Sequence, residues 1–219
     1  MRTTLDSGTP VEIARPADGR EPDRGLVLVP DIMGLRPLFD EHAQRIADER
    51  GWEVAVVEPW PGREDLPLAD RLAQVGSIDL DHLLTDLALA ASALPSEPVG
   101  VAGFCMGGMF TLYAASTGRF HRAVSFYGMI RTPEQWRAPG RKEPLEAVSH
   151  IGSCPTMAII GTADPWTPEA DVAALEDAGV LVVRYEGADH GFIHDPERPA
   201  HRPDYAADAW SRALDFLAG

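Results

Sequence analysis

Cys105 stands in Gly103-Phe104-Cys105-Met106-Gly107-Gly108, directly after the apolar run 99–102 and before a helix-like stretch over 108–116. A thiol on a tight strand-to-helix turn matches the G-x-S-x-G pattern, with sulfur replacing the serine oxygen. Such a turn keeps its side chain out of the core, and the flanking glycines relieve crowding around a strained residue. A nucleophile of this kind needs a base and a group that orients the base. His190, in Gly187-Ala188-Asp189-His190-Gly191-Phe192, and Asp164, in Gly161-Thr162-Ala163-Asp164-Pro165, supply those two types. Their order along the chain, nucleophile then acid then histidine, is that of an acyl-transfer site on an α/β sheet. His190 would take the Cys105 proton or stabilise its thiolate, and Asp164 would hold the imidazole. Attack on a carbonyl would give a tetrahedral intermediate and then a thioester. The oxyanion would meet the N–H groups of Met106, at a helix start, and Ile32, in the loop after the first main strand.

These residues require a frame that brings distant segments together. Short apolar runs at 26–29, 54–57, 99–102, 123–127, 156–160 and 180–183 alternate with helical patterns. That alternation predicts a mostly parallel central sheet with helices on both faces, and 11–14 adds a candidate edge strand. Helical spacing covers 39–50, 78–94 and 205–217, and Thr167 with Pro168 reads as an N-cap and first helical position. Asp31, Cys105, Asp164 and His190 each follow one of the strands, at the carboxyl edge where open parallel sheets bind ligands. Loops at 59–68 and 128–152 are long enough to border such a site.

Composition narrows the partners. The 219 residues carry a formal net charge of −15, with 45% hydrophobic and 24% charged residues, as expected of one α/β domain over residues 1–219. So acidic a chain lacks the positive footprint that nucleic acid or an anionic membrane requires. The start, residues 1–9, has no apolar run of a secretory signal, and no segment reaches membrane-spanning length. The two cysteines, Cys105 and Cys154, read as free thiols of a cytoplasmic protein. No cofactor or metal is expected. His190, His194 and His201 fit no common zinc spacing, and the loop after the first main strand lacks a glycine-rich phosphate cradle.

Four blocks together resemble the dienelactone hydrolase family of the α/β-hydrolases. They are Val29-Pro30-Asp31-Ile32-Met33-Gly34, the Cys105 block, the Asp164 block, and Tyr185-Glu186 running into the His190 block. The resemblance implies an α/β-hydrolase fold and hydrolysis of a small ester or lactone without a cofactor. Its triad falls on Cys105, Asp164 and His190, and its oxyanion donors on Ile32 and Met106. Where the best-known members carry a thiol-tuning glutamate, this chain has Asp31, one methylene shorter. Where they carry a carboxylate-binding arginine four residues past the catalytic histidine, this chain has His194. Arg198 and Arg202 are the nearby basic candidates, with Arg63 or Arg71 for a second arginine. Trp60, Phe104, Tyr127, Trp136, Trp166 and Phe192 are candidates for an apolar lining. A monomer or weak homodimer acting on a small molecule is the expected state. A broad carboxylesterase or thioesterase remains open as an alternative, as does a non-catalytic binding or redox-responsive protein.

Overall fold

The computed structural model describes residues 1–219. Eight strands, β1 (Arg2–Thr4), β2 (Pro10–Ala14), β3 (Gly25–Val29), β4 (Glu53–Val57), β5 (Val99–Phe104), β6 (Ala123–Phe126), β7 (Thr156–Gly161) and β8 (Leu181–Tyr185), form one sheet. Their order is β1-β2-β4-β3-β5-β6-β7-β8, antiparallel at β1 and β2 and parallel from β4 to β8. The helices are α1 (Pro37–Arg50), α2 (Leu68–Gln74), α3 (Leu80–Ala93), α4 (Met106–Ala114), α5 (Pro144–Val148), α6 (Glu169–Asp177) and α7 (Pro203–Ala218).

Alternation along the central strands divides the core. Val27 and Val29 of β3 pack with residues of α3, α4, α5 and α6, whereas Leu26 and Leu28 pack with α1 and α7. Both faces are therefore covered, which is why β3, β4 and β5 read as unbroken apolar runs. The chain passes from β3 to β4 on one side, then crosses back through α3 to β5 on the other side of β3. The carboxyl ends of β3 and β5 thus flank the reversal point, where a crevice opens beyond the sheet.

Three local expectations are corrected. The 11–14 strand is internal, because β1 pairs outside it with Arg2 opposite Glu12. Pro168, not Thr167, caps α6, and no side chain accepts from its first turn. Tyr127 lies outside β6, having turned to φ 39°.

Candidate active site

Cys105 sits between β5 and α4 with φ 56° and ψ −118°, a strained positive-φ conformation that residues with a side chain rarely adopt. Its own N–H donates to Phe126 O at 3.0 Å, which fixes the turn against β6. Gly107 allows the next turn to close in: a Cβ there would lie 2.2 Å from the carbonyl oxygens of both Val29 and Pro30. Only a glycine permits that approach, and it sets the start of α4 beside the chain leaving β3. Met106 opens α4, so its N–H has no acceptor within the helix. Ile32 lies two residues beyond Pro30, in the loop on the facing side.

That loop is braced from behind. Glu58, buried at the end of β4, accepts from Leu35 N at 2.8 Å and from Trp60 N at 2.7 Å. Burial pushes the Glu58 carboxyl up, against the pull of these two N–H donors and of Arg71. Gly34 turns through φ 72°, and a Cβ there would meet Glu58 Oε1 at 2.7 Å. Ile32 O accepts from Trp60 Nε1 at 2.9 Å and from Arg71 Nη1 at 3.2 Å, while Arg71 also donates to Leu66 O and Glu64 O.

Asp164 is buried in the turn after β7 and accepts from Trp166 N at 2.8 Å. Its other oxygen meets His190 Nδ1 at 2.8 Å, so Nδ1 carries the proton and Nε2 faces away from Asp164. Burial works against a charged His190, yet the hydrogen bonds of Asp164 and Cys105 outweigh it and raise the imidazole to about 10. His190 and Cys105 line one cavity of about 400 Å³. A wider hollow of about 630 Å³, around Tyr113, Arg141 and His150, contains none of the three residues.

Asp31 lines the same cavity, but its oxygens are occupied. They accept from Met33 N at 3.0 Å, from Arg36 Nη1 at 2.7 Å and Nη2 at 3.0 Å, and from His194 Nε2 at 2.8 Å. Burial opposes the Asp31 charge, but His194 and Arg36 together hold the carboxyl well below the usual range. His194 is fully buried, and burial pushes its imidazole down, against the hydrogen bond and charge of Asp31. It donates from Nε2 to Asp31 and accepts at Nδ1 from the Tyr127 hydroxyl. Asp31 thus ties the loop after β3 to the loop after β8.

The pairing carries an acid-stability prediction. The native chain binds the Asp31 proton less readily than the unfolded chain, so this stabilisation is complete above about pH 4 and lost as pH falls below it. Asp31→Asn should lower unfolding free energy at pH 7 by about 2 kcal/mol. It should also flatten the acid decline in denaturant midpoint; an unchanged acid limb would show that the pairing is absent in solution.

The structure separates the remaining substrate candidates. Trp136, Trp166 and Arg198 line the cavity. Arg71 does not: it is buried on backbone carbonyls. Arg63 stacks on Trp60 and bonds Ser77 beside a different hollow, and Arg202 precedes α7 at another. Trp60, Phe104 and Phe192 are fully buried core, Tyr127 lies beneath His190 with ring centroids 5.2 Å apart, and His194 holds Asp31. Sequence reasoning missed Arg36, Met33, Leu68, Leu72, Met129 and Asp195, all at the cavity wall. For Arg36 the one available signal was its position five residues past Asp31, in the same strand-end loop.

Residues 10–219 match the family model described as "Dienelactone hydrolase family". A Bradyrhizobium sp. protein named a probable 2-oxo-3-(5-oxofuran-2-ylidene)propanoate lactonase is 28% identical over 94% of this chain and 87% of its own. A carboxymethylenebutenolidase from Rhodococcus opacus is 27% identical over 88% of this chain and 79% of its own. A Klebsiella pneumoniae crystal structure ascribed to the dienelactone hydrolases superposes with TM-score 0.86 at 24% identity, covering 100% of this chain and 97% of that one. The last likeness establishes the α/β-hydrolase fold. The family match spans every strand-end loop described above, and on it the chain belongs to the dienelactone hydrolase family.

Proposed function

We propose that this protein hydrolyses a small carboxylate-bearing ester or lactone through a thioester on Cys105. The observation that carries the reading is the 2.8 Å contact from His190 to buried Asp164, at a cavity that His190 shares with Cys105. The thiolate attacks the carbonyl carbon, and the electron pair of the C=O bond moves onto oxygen. The N–H groups of Ile32 and Met106 receive that oxyanion. Collapse re-forms C=O and breaks the C–O bond, and the leaving oxygen takes the proton of His190. Once Cys105 is a thioester its negative charge is gone, and with it part of what held the imidazole protonated. Neutral His190 then accepts a proton from water, hydroxide adds to the thioester, and the C–S bond breaks to release the acid and the thiolate.

Arg198 is the group suited to a substrate carboxylate. Arg36 in the same cavity is already bidentate on Asp31, whereas the Arg198 guanidinium lies free against Gly191, next to His190. The names of the two relatives describe lactones with a carboxylate beyond the ring, the class such a guanidinium would select. The test compares a carboxymethylene butenolide with its neutral methyl ester. Arg198→Gln should reduce the preference for the carboxylate form by about tenfold or more. A preference that survives the substitution removes Arg198 from the site, and folded wild type that opens neither lactone overturns the hydrolytic reading.

A further inference from the structure

The chain exposes seven large hydrophobic side chains, and four of them, Met33, Leu68, Leu72 and Trp166, line the one cavity that holds Cys105 and His190. Scattered apolar exposure is ordinary, but a gathered patch joined to a reactive cavity marks a binding surface. The patch is also ordered. Trp136 is only 2% exposed, its Nε1 donates to Leu72 O at 2.8 Å, and its ring lies parallel to Trp166 with centroids 5.7 Å apart at 9°. Trp166 is 38% exposed and its centroid lies 6.4 Å from that of His190. One indole is therefore clamped in the wall and supports a second that remains open to the cavity. Beside the pair, joined to it through the Trp136–Leu72 hydrogen bond, Leu68 and Leu72 are spaced i and i+4, on one side of α2.

We propose that this indole pair, with Leu68 and Leu72, binds a planar ring system on the substrate, one that the ester or lactone carries in addition to its carboxylate. The inference rests on the hydrolytic reading above and deepens it into a substrate class, an aryl-substituted ester or lactone acid. The cavity of about 400 Å³ falls in the range that encloses ligands larger than a single five-membered lactone. The charged groups come from the loops after β3 and β8, through Arg36, Asp195 and Arg198. The apolar groups come from α2, Met129, Trp136 and Trp166. Such a wall suits a molecule with one anionic and one flat apolar portion, because desolvating the exposed indole and leucines gains most when a planar group covers them.

The experiment measures kcat/KM for monomethyl succinate and mono-2-naphthyl succinate, which differ only in the leaving group. Intrinsic reactivity cancels when each variant is referred to wild type. Trp166→Ala should lower the naphthyl-to-methyl ratio about tenfold, Trp166→Phe should largely retain it, and Leu72→Ser should lower it severalfold. Leu72→Ser also tests the subsite without disturbing the loop that carries Asp164. Equal losses on both esters would overturn the proposal and leave Trp166 as a support for that loop. So would an unmoved ratio with altered sedimentation, which would assign the patch to contact between copies of the chain. A second readout is independent of turnover: titration of Cys105→Ala protein with 2-naphthylacetate and with acetate. Tighter naphthylacetate binding that Trp166→Ala abolishes sustains the subsite even if neither ester is hydrolysed, an outcome that defeats the hydrolytic reading alone. Equal binding of the two acids overturns the subsite.

Discussion

Cys105→Ala is expected to lower kcat on any ester or lactone substrate by about 10⁴-fold or more, the loss that follows when a covalent nucleophile is removed. The size of the effect reflects the geometry. The thiol is held at φ 56° on a turn that allows little else, at a cavity it shares with a histidine already oriented by Asp164. Removing the sulfur leaves the oxyanion donors and the pocket but no group to form the thioester. Folding should change little, since Cys105 is only partly buried and alanine meets the same backbone penalty at that φ. Cys154 is not a substitute nucleophile. Burial pushes its thiol up to about 11, so little of it is thiolate at neutral pH. Alkylation by iodoacetamide followed by peptide mapping should therefore label Cys105 first, with activity lost in step. Turnover that persists in Cys105→Ala, or that survives full labelling of Cys105, contradicts the thioester route.

The parts of this site legible in the sequence are those fixed by local rules. Cys105 stands in a glycine-flanked turn between an apolar strand and a helix, and Asp164 and His190 lie in the short loops that follow β7 and β8. Each is placed by the end of its own strand, so reading the strands correctly was enough to bring them to one edge. The arginines were not legible in this way. Arg63, Arg198 and Arg202 sit in or beside loops and Arg71 lies within the short helix α2, and a guanidinium reaches far enough that its destination depends on residues distant in the chain. Arg71 turned inward because the carbonyls of Ile32, Glu64 and Leu66 converge on it, a convergence created by the packing of α2 against the loop after β3. The same holds for the aromatics. Phe104 alternates into the face covered by α1 and α7, where it stacks on Phe126 at 4.5 Å, whereas Trp136 and Trp166 meet only because the long segment after β6 and the turn after β7 fold over the same end of the sheet. His194, where the resemblance leads one to expect an arginine, also gained a physical reading only from the structure. The His194 ring is enclosed between Tyr127 and Asp31 and hydrogen-bonds both, which ties the loop after β8 to the loop after β3.

Asp164→Asn should produce the second large loss, about 10⁴-fold in kcat, with a pH signature that distinguishes orientation from simple damage. Two effects combine. An asparagine amide in place of the carboxylate presents a donor to His190 Nδ1 as readily as an acceptor, so the imidazole can turn to the tautomer with Nε2 protonated, which cannot take a proton from Cys105 or from water. The charge that helps hold His190 at about 10 also disappears, while the burial that opposes protonation remains. In wild type the imidazolium form persists through neutral pH and is lost as pH rises toward 10, so the alkaline limb of Cys105 alkylation or of kcat/KM should lie near there. In Asp164→Asn that limb should move to lower pH. The same linkage appears in stability. A histidine raised in the native state stabilises it fully below about pH 6.5, the unfolded value, and loses that contribution as pH climbs through the folded value. Wild type should therefore lose more stability than Asp164→Asn between pH 7 and pH 10, measured as the shift in denaturant midpoint. An alkaline limb that stays in place after the substitution would mean that Asp164 does not govern the imidazole, and the chemistry would then rest on Cys105 and His190 without it.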